Sequence, residues 1–128
     1  MIILDTHIWV WWVTGNPRLT SQQQQWIQDY QSVGLGISII SCWEVAKLVE
    51  KKRLVLSINV EQWLQQALAY QGVQLLNLTV PIVVRSTELT GFHNDPADQI
   101  IVATANIYGC ALLTADKKIL KYPGVKTL

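Results

Sequence analysis

Five of the nine acidic residues in this 128-residue chain fall where carboxylates can act together: Asp5, Glu44, Asp95, Asp98 and Asp116. Asp5 directly follows the apolar run Ile2-Ile3-Leu4, and Asp116 follows Ala111-Leu112-Leu113 after Thr114-Ala115. In an open parallel sheet, ligands sit beyond the carboxyl ends of the strands, so both aspartates stand where a site would form. Carboxylates gathered within a few ångströms repel and raise one another's pKa. A divalent cation removes that penalty. No Cys/His cluster competes, so the available donors are hard oxygens, which suit Mg²⁺ or Mn²⁺ rather than zinc. A cation held this way meets substrate phosphates and activates water for in-line displacement.

Each acidic residue has a plainer reading taken singly. Asp5 and Asp116 each open a helix, and Asp is a good N-cap. Asp95-Pro96-Ala97-Asp98 approximates a capping box, with Asp95 at N-cap, Pro96 at N1 and Asp98 at N3. The positive end of that helix also favours ionised carboxylates, so cap and ligand are compatible roles. From its own segment, Glu44 reads as half of a solvated i,i+3 pair with Lys47, since Glu prefers exposure. Co-location turns the balance: Asp5, Asp98, Asp116 and Asp95 can converge at one sheet edge. The helix carrying Glu44 begins right after a strand.

The elements that must position these residues alternate. Apolar runs at Ile2–Leu4, Gly36–Ile39, Gln74–Leu78, Ala111–Leu113 and Val125–Thr127 predict strands. Periodic segments predict helices at Thr6–Val13, Thr20–Ser32, Ser41–Lys52, Asn59–Gln71, Val80–Leu89, Pro96–Tyr108 and Asp116–Lys121. Gly72 and Gly109 stand where helices should stop. Strands alternating with helices, and apolar throughout, imply a parallel sheet covered on both faces. The expected fold is therefore an α/β, three-layer α/β/α domain with a mostly parallel central sheet of four to five strands, residues 1–128 forming one domain.

Composition narrows the function further. Half the residues are apolar, enough for a core, and the net charge is +1, which argues against a nucleic-acid binder basic over its whole surface. The longest apolar run, Ile8–Val13, is far short of the roughly 20 residues of a membrane span. No basic and apolar leader pattern opens the sequence. Cys42 and Cys110 suit a reducing, cytoplasmic setting and read as buried and inert.

Met1-Ile2-Ile3-Leu4-Asp5-Thr6-His7-Ile8-Trp9, Ile40-Ser41-Cys42-Trp43-Glu44-Val45-Ala46, the run His93 to Ala105 and Leu113-Thr114-Ala115-Asp116 together resemble the PIN-domain family, and within it the VapC-type toxins of bacterial toxin–antitoxin pairs. The likeness spans nearly the whole chain. It implies a small Mg²⁺- or Mn²⁺-dependent endoribonuclease that cuts tRNA or ribosomal RNA and is blocked by a cognate antitoxin. By the same resemblance, the catalytic and metal-holding acids are Asp5, Glu44, Asp98 and Asp116. Asp95, Thr114 and Thr6 are supporting residues. Many relatives carry Phe and Arg around the third carboxylate, where this chain has Ala97 and Gln99. Gln99 cannot supply an ion pair.

Other residues complete the expectations. Lys47, Lys51 and Lys117 follow the acidic motifs closely and are candidates for RNA phosphate contacts, which position without reading sequence; the plainer reading is solvated helix faces. Trp43 and Trp63 read as core. Ile8-Trp9-Val10-Trp11-Trp12-Val13 is apolar on every side of its helix, so such a helix is buried all round or meets a partner. An exposed patch at Trp9, Trp11 or Trp12 is expected, for an antitoxin or for a homodimer contact. His7 and His93 read as a helix-start residue and a loop residue. A non-catalytic RNA- or protein-binding module on the same fold is the competing reading. A phospho-acceptor domain ranks last, because Asn77-Leu78-Thr79 offers no acceptor Asp.

Overall fold

The computed structural model describes residues 1–128. Four strands, β1 (Ile2–Leu4), β2 (Leu35–Ser38), β3 (Val73–Leu76) and β4 (Leu112–Leu113), form one parallel sheet in the order β3-β2-β1-β4. Seven helices complete the α/β fold: α1 (Thr6–Thr14), α2 (Ser21–Tyr30), α3 (Ile39–Glu50), α4 (Val60–Leu68), α5 (Val80–Ser86), α6 (Pro96–Tyr108) and α7 (Lys117–Leu120). Their starts are fixed by side-chain caps at Asp5, Thr20, Ser38, Asn59, Thr79, Asp95 and Asp116, each accepting from a backbone N–H one to three residues on.

The sheet separates two cores because strand side chains alternate between faces. Ile2, Leu4, Leu35, Ile37 and Leu113 face one cluster, closed by Ile8, Trp9, Ile27, Val45, Trp63 and Ala67 from the helices. Ile3, Leu76 and Leu112 face the other, closed by Ile101, Val102 and Ala105 of α6 and Ile119 of α7. The three layers expected from the alternating pattern are therefore present.

Several boundaries differ from expectation. β2 begins at Leu35 and yields to α3 at Ile39, because the Ser38 side chain accepts from Ile40 N and starts the helix there. The expected fifth strand at Val125–Thr127 shrinks to a single pairing of Thr127 with Leu112, since Pro123 and Gly124 bring the chain alongside β4 only at its last residues. α4 ends at Leu68, well before Gly72. Gly72 serves close approach instead: a Cβ there would lie 2.2 Å from the Gln31 carbonyl oxygen. Gly109 does end α6, in the left-handed conformation.

The tryptophans are also redistributed. Trp9 is fully buried and is not part of a surface patch, because α1 lies under α4 rather than at the periphery. The ring of Trp63 tilts onto it at 5.6 Å. Trp11 and Trp12 remain half-buried, and Tyr70 meets Trp12 edge-on at 5.2 Å. Trp43, expected in the core, is 53% exposed and faces Lys47. Cys42 is buried, whereas Cys110 is only half-buried, on the loop after Gly109. No helix is long and apolar enough to cross a membrane.

Candidate active site

The carboxyl ends of β1 and of the neighbouring edge strand β4 place the first acids. Asp5 directly follows β1 and is 5% exposed. Its Oδ1 accepts from the Thr6 N–H at 2.8 Å as the cap of α1, and its Oδ2 accepts from the Thr114 hydroxyl at 2.7 Å. Thr114, buried just past β4, accepts from the Asp116 N–H at 3.0 Å through the same oxygen. Its one hydroxyl proton is therefore directed at Asp5. Asp116 Oδ1 in turn caps α7 at the Lys118 N–H, 2.7 Å away. A hydroxyl thus couples the acid of β1 to the acid after β4.

Glu44 is not paired with Lys47. Its Oε1 lies 2.5 Å from the Thr6 hydroxyl, while Lys47 bonds Glu50 at 2.9 Å. The reason is packing: with Cys42 and Val45 turned into the core, Glu44 points along α3 toward the start of α1. Ser41, fully buried, sits 2.8 Å from the same Thr6 oxygen. Thr6 has one proton, and the carboxylate is the stronger acceptor, so Thr6 donates to Glu44 and accepts from Ser41. Ser41 went unread in the sequence, although its place one turn before Glu44 on the same helix face was a usable signal.

At the start of α6, Asp95 Oδ1 accepts from the Asp98 N–H at 3.1 Å. The return half of the capping box does not form. The Asp98 carboxylate turns inward instead, with Oδ2 3.1 Å from His93 Nε2, although that nitrogen lacks hydrogen-bond alignment. The His93 carbonyl accepts from the Gln99 side-chain amide at 3.0 Å. No periodic signal could have found His93, because it lies in the loop before α6. Carboxylate oxygens of Glu44, Asp95 and Asp98 all lie within 4.8 Å of one another. Asp5 and Asp116 are near enough to act on Asp98 through charge but stand outside that tight group. Asp95, expected only to support, is inside it.

The electrostatics follow. Asp98 is pushed up to about 8, first by burial and then by the like charges of Asp5, Asp95, Glu44 and Asp116. Burial also raises Asp5 and Glu44, against the lowering effect of their hydrogen bonds from Thr114 and Thr6. Such a pocket resists full ionisation unless a positive charge enters it. Three oxygens on one cation with ~2.1 Å bonds are roughly 3–4 Å apart, so donors already within 4.8 Å of one another would draw together around it. Of the lysines read as phosphate contacts, Lys51 and Lys117 are exposed, and Lys47 is engaged by Glu50.

A three-layer fold that gathers hard carboxylates over the exit edge of a parallel sheet is the arrangement of a cation-dependent phosphodiesterase. A model of the PIN domain matches residues 2–125. Over 119 residues the chain is 34% identical to Ribonuclease VapC22 of Mycobacterium tuberculosis, covering 92% of this chain and 88% of that protein. A chain of the toxin–antitoxin complex from Klebsiella pneumoniae is 26% identical with a TM-score of 0.70, covering 99% of this chain and 97% of that one. A chain of VapBC2 from Rickettsia felis, bound to a DNA fragment from its promoter, is 18% identical with a TM-score of 0.75, covering 100% and 98%. This chain belongs to the PIN domain family.

Proposed function

We propose that this PIN domain is a metal-dependent endoribonuclease and the toxin of a toxin–antitoxin pair, with tRNA or ribosomal RNA as its substrate class. The observation that carries this reading is the convergence of Glu44, Asp95 and Asp98 within 4.8 Å, with Asp5 and Asp116 in the same field. A bound Mg²⁺ or Mn²⁺ would supply charge stabilisation at the scissile phosphate and make water a better nucleophile. Glu44, Asp95 and Asp98 would hold it on one side, and Asp5 and Asp116 on the other. Thr114 fixes the Asp5 carboxylate, and Thr6 fixes Glu44, so the donors are oriented before substrate arrives. Residues 1–128 act as a single nuclease domain in the cytoplasm, where translation RNAs are met.

The partner reading is supported by the relatives, which are solved as toxin–antitoxin complexes. The half-buried rims of Trp11 and Trp12 are the part of the tryptophan-rich helix left for an antitoxin or for a second copy in a homodimer. The test of the activity uses total RNA with Mg²⁺ or with EDTA and sequences the new RNA ends. Specific cuts should appear with Mg²⁺, vanish with EDTA, and fall about 10²-fold or more in Asp5→Asn, Glu44→Gln, Asp98→Asn and Asp116→Asn. Cleavage that persists in EDTA, or in three of these four variants, would sink the reading.

A further inference from the structure

Beside the acidic edge lies an open cleft of about 310 Å³, with Gly91, Phe92, His93, Lys118, Lys121 and Tyr122 in its lining. Two links make it continuous with the carboxylates. His93 lines the cleft while its Nε2 stands 3.1 Å from Asp98. Lys118 lines it while its backbone N–H donates to the capping carboxylate of Asp116. The aromatic wall is braced: Phe92 packs on His93 at 4.4 Å and on Tyr122 at 4.8 Å, and the Tyr122 hydroxyl donates to the Thr90 carbonyl. Neither Lys118 nor Lys121 has a carboxylate partner, unlike Lys47. Braced rings beside unpaired cations match an unpaired nucleobase and its flanking phosphates, because every base offers a stacking face and lysine takes phosphate as a point charge.

We propose that this cleft is a nucleotide subsite for single-stranded RNA, seating a base against Tyr122 and Phe92 and the phosphates next to the scissile bond on Lys118 and Lys121. It rests on the phosphodiesterase reading of the acidic edge and adds to it the residues that would seat a nucleotide beside the scissile bond. Lys117, expected from the sequence to touch phosphate, does not line the cleft, whereas Lys118 and Lys121 of the same run do.

The test titrates the full chain, in EDTA so that nothing is cut, with a short single-stranded RNA carrying one 2-aminopurine. Binding should quench the probe through stacking, and the same RNA in a duplex should not be quenched. Tyr122→Leu should weaken binding about tenfold and abolish the quench, and Tyr122→Phe should keep both. Lys118→Glu and Lys121→Glu should each weaken binding several-fold and lower the salt dependence by about one phosphate contact. If Tyr122→Leu fails to fold, the lysine variants and the duplex probe decide. Binding within about twofold of the parent in both lysine variants would overturn the subsite, as would an acidic peptide that displaces the probe as well as unlabelled RNA does. Cation-dependent hydrolysis of bis(4-nitrophenyl) phosphate, which has no base, tests the phosphodiesterase reading separately and should be present in the parent protein. Its absence from the parent protein would overturn the phosphodiesterase reading and leave the RNA titration standing.

Discussion

The acidic site has two halves built on different principles. On the strand side, Asp5, Thr114 and Asp116 form a closed chain of hydrogen bonds, and each carboxylate is met by donors of the protein. On the helix side, Glu44, Asp95 and Asp98 crowd within 4.8 Å with few donors between them, and Asp98 carries the repulsion of all the others. The strand half is preorganised by the fold. The helix half is left unfinished by the fold, and on the proposed function a cation would complete it.

The sharpest way to break this comparison is to truncate one acid from each half. Asp5→Ala removes the cap of α1 and leaves the buried Thr114 hydroxyl without its acceptor, a loss of about 1–3 kcal/mol. Asp98→Ala removes a carboxylate that accepts no hydrogen bond and relieves repulsion. Both should lose RNA cleavage about 10²-fold or more. Thermal unfolding without metal should separate them. At pH 5, where Asp98 is protonated, Asp5→Ala should melt about 5 °C or more below the parent, and Asp98→Ala close to it. At pH 8, Asp98→Ala should melt above the parent. Equal shifts of one sign in both variants would show that the halves do not differ.

A smaller effect follows from pH alone. The folded-state value of Asp98 is about 8, against an ordinary 3.8. Between those values the native state binds more protons than the unfolded state, so stability falls as pH rises. Metal-free protein should therefore be most stable near the acid end of that window and lose stability toward pH 8. Saturating Mg²⁺ or Mn²⁺ should reverse the trend, since the cation binds the ionised native site and not the unfolded chain. Differential scanning calorimetry across pH 5–8, with and without cation, measures both slopes. A metal-free profile that rises with pH would contradict the unfinished helix half.

Much of the strand half was legible because its signals are local. Asp5 after Ile2-Ile3-Leu4, and Asp116 two residues past Thr114, declare strand end and cap within a few positions of sequence. The four-stranded parallel sheet and the helix order followed from alternating apolar runs. The helix half was less legible because its geometry depends on contacts across the fold. Glu44 reads as a surface ion pair within its own segment, and only the approach of Thr6, 38 residues away, shows otherwise. The same limit explains the tryptophans. An all-apolar α1 looks like an exposed patch until Trp63 of α4 is seen to cover Trp9, while Trp43 ends up outside because Cys42 and Val45 take the inward face.

Gln99 is the finest test of how the helix half is held. The family resemblance implies an arginine at this position, whereas Gln99 cannot form an ion pair. Its amide instead spans to the His93 carbonyl at 3.0 Å, tying the loop before α6 to the second turn of that helix. The bond is neutral and only half-buried, so it contributes on the order of 1 kcal/mol. Gln99→Ala should slacken the loop beside Asp98 and cost a few-fold in cation affinity, less than the loss from any of the acids. Gln99→Arg should behave differently from Gln99→Ala, because a guanidinium beside Asp98 would draw its pKa down and supply part of the positive charge that a cation would bring. Isothermal titration with Mn²⁺ reads the difference: weaker binding with fewer protons released in Gln99→Arg, weaker binding with unchanged proton release in Gln99→Ala. Identical proton release in the two variants would mean that Gln99 acts only as a surface residue and that the loop is positioned without it.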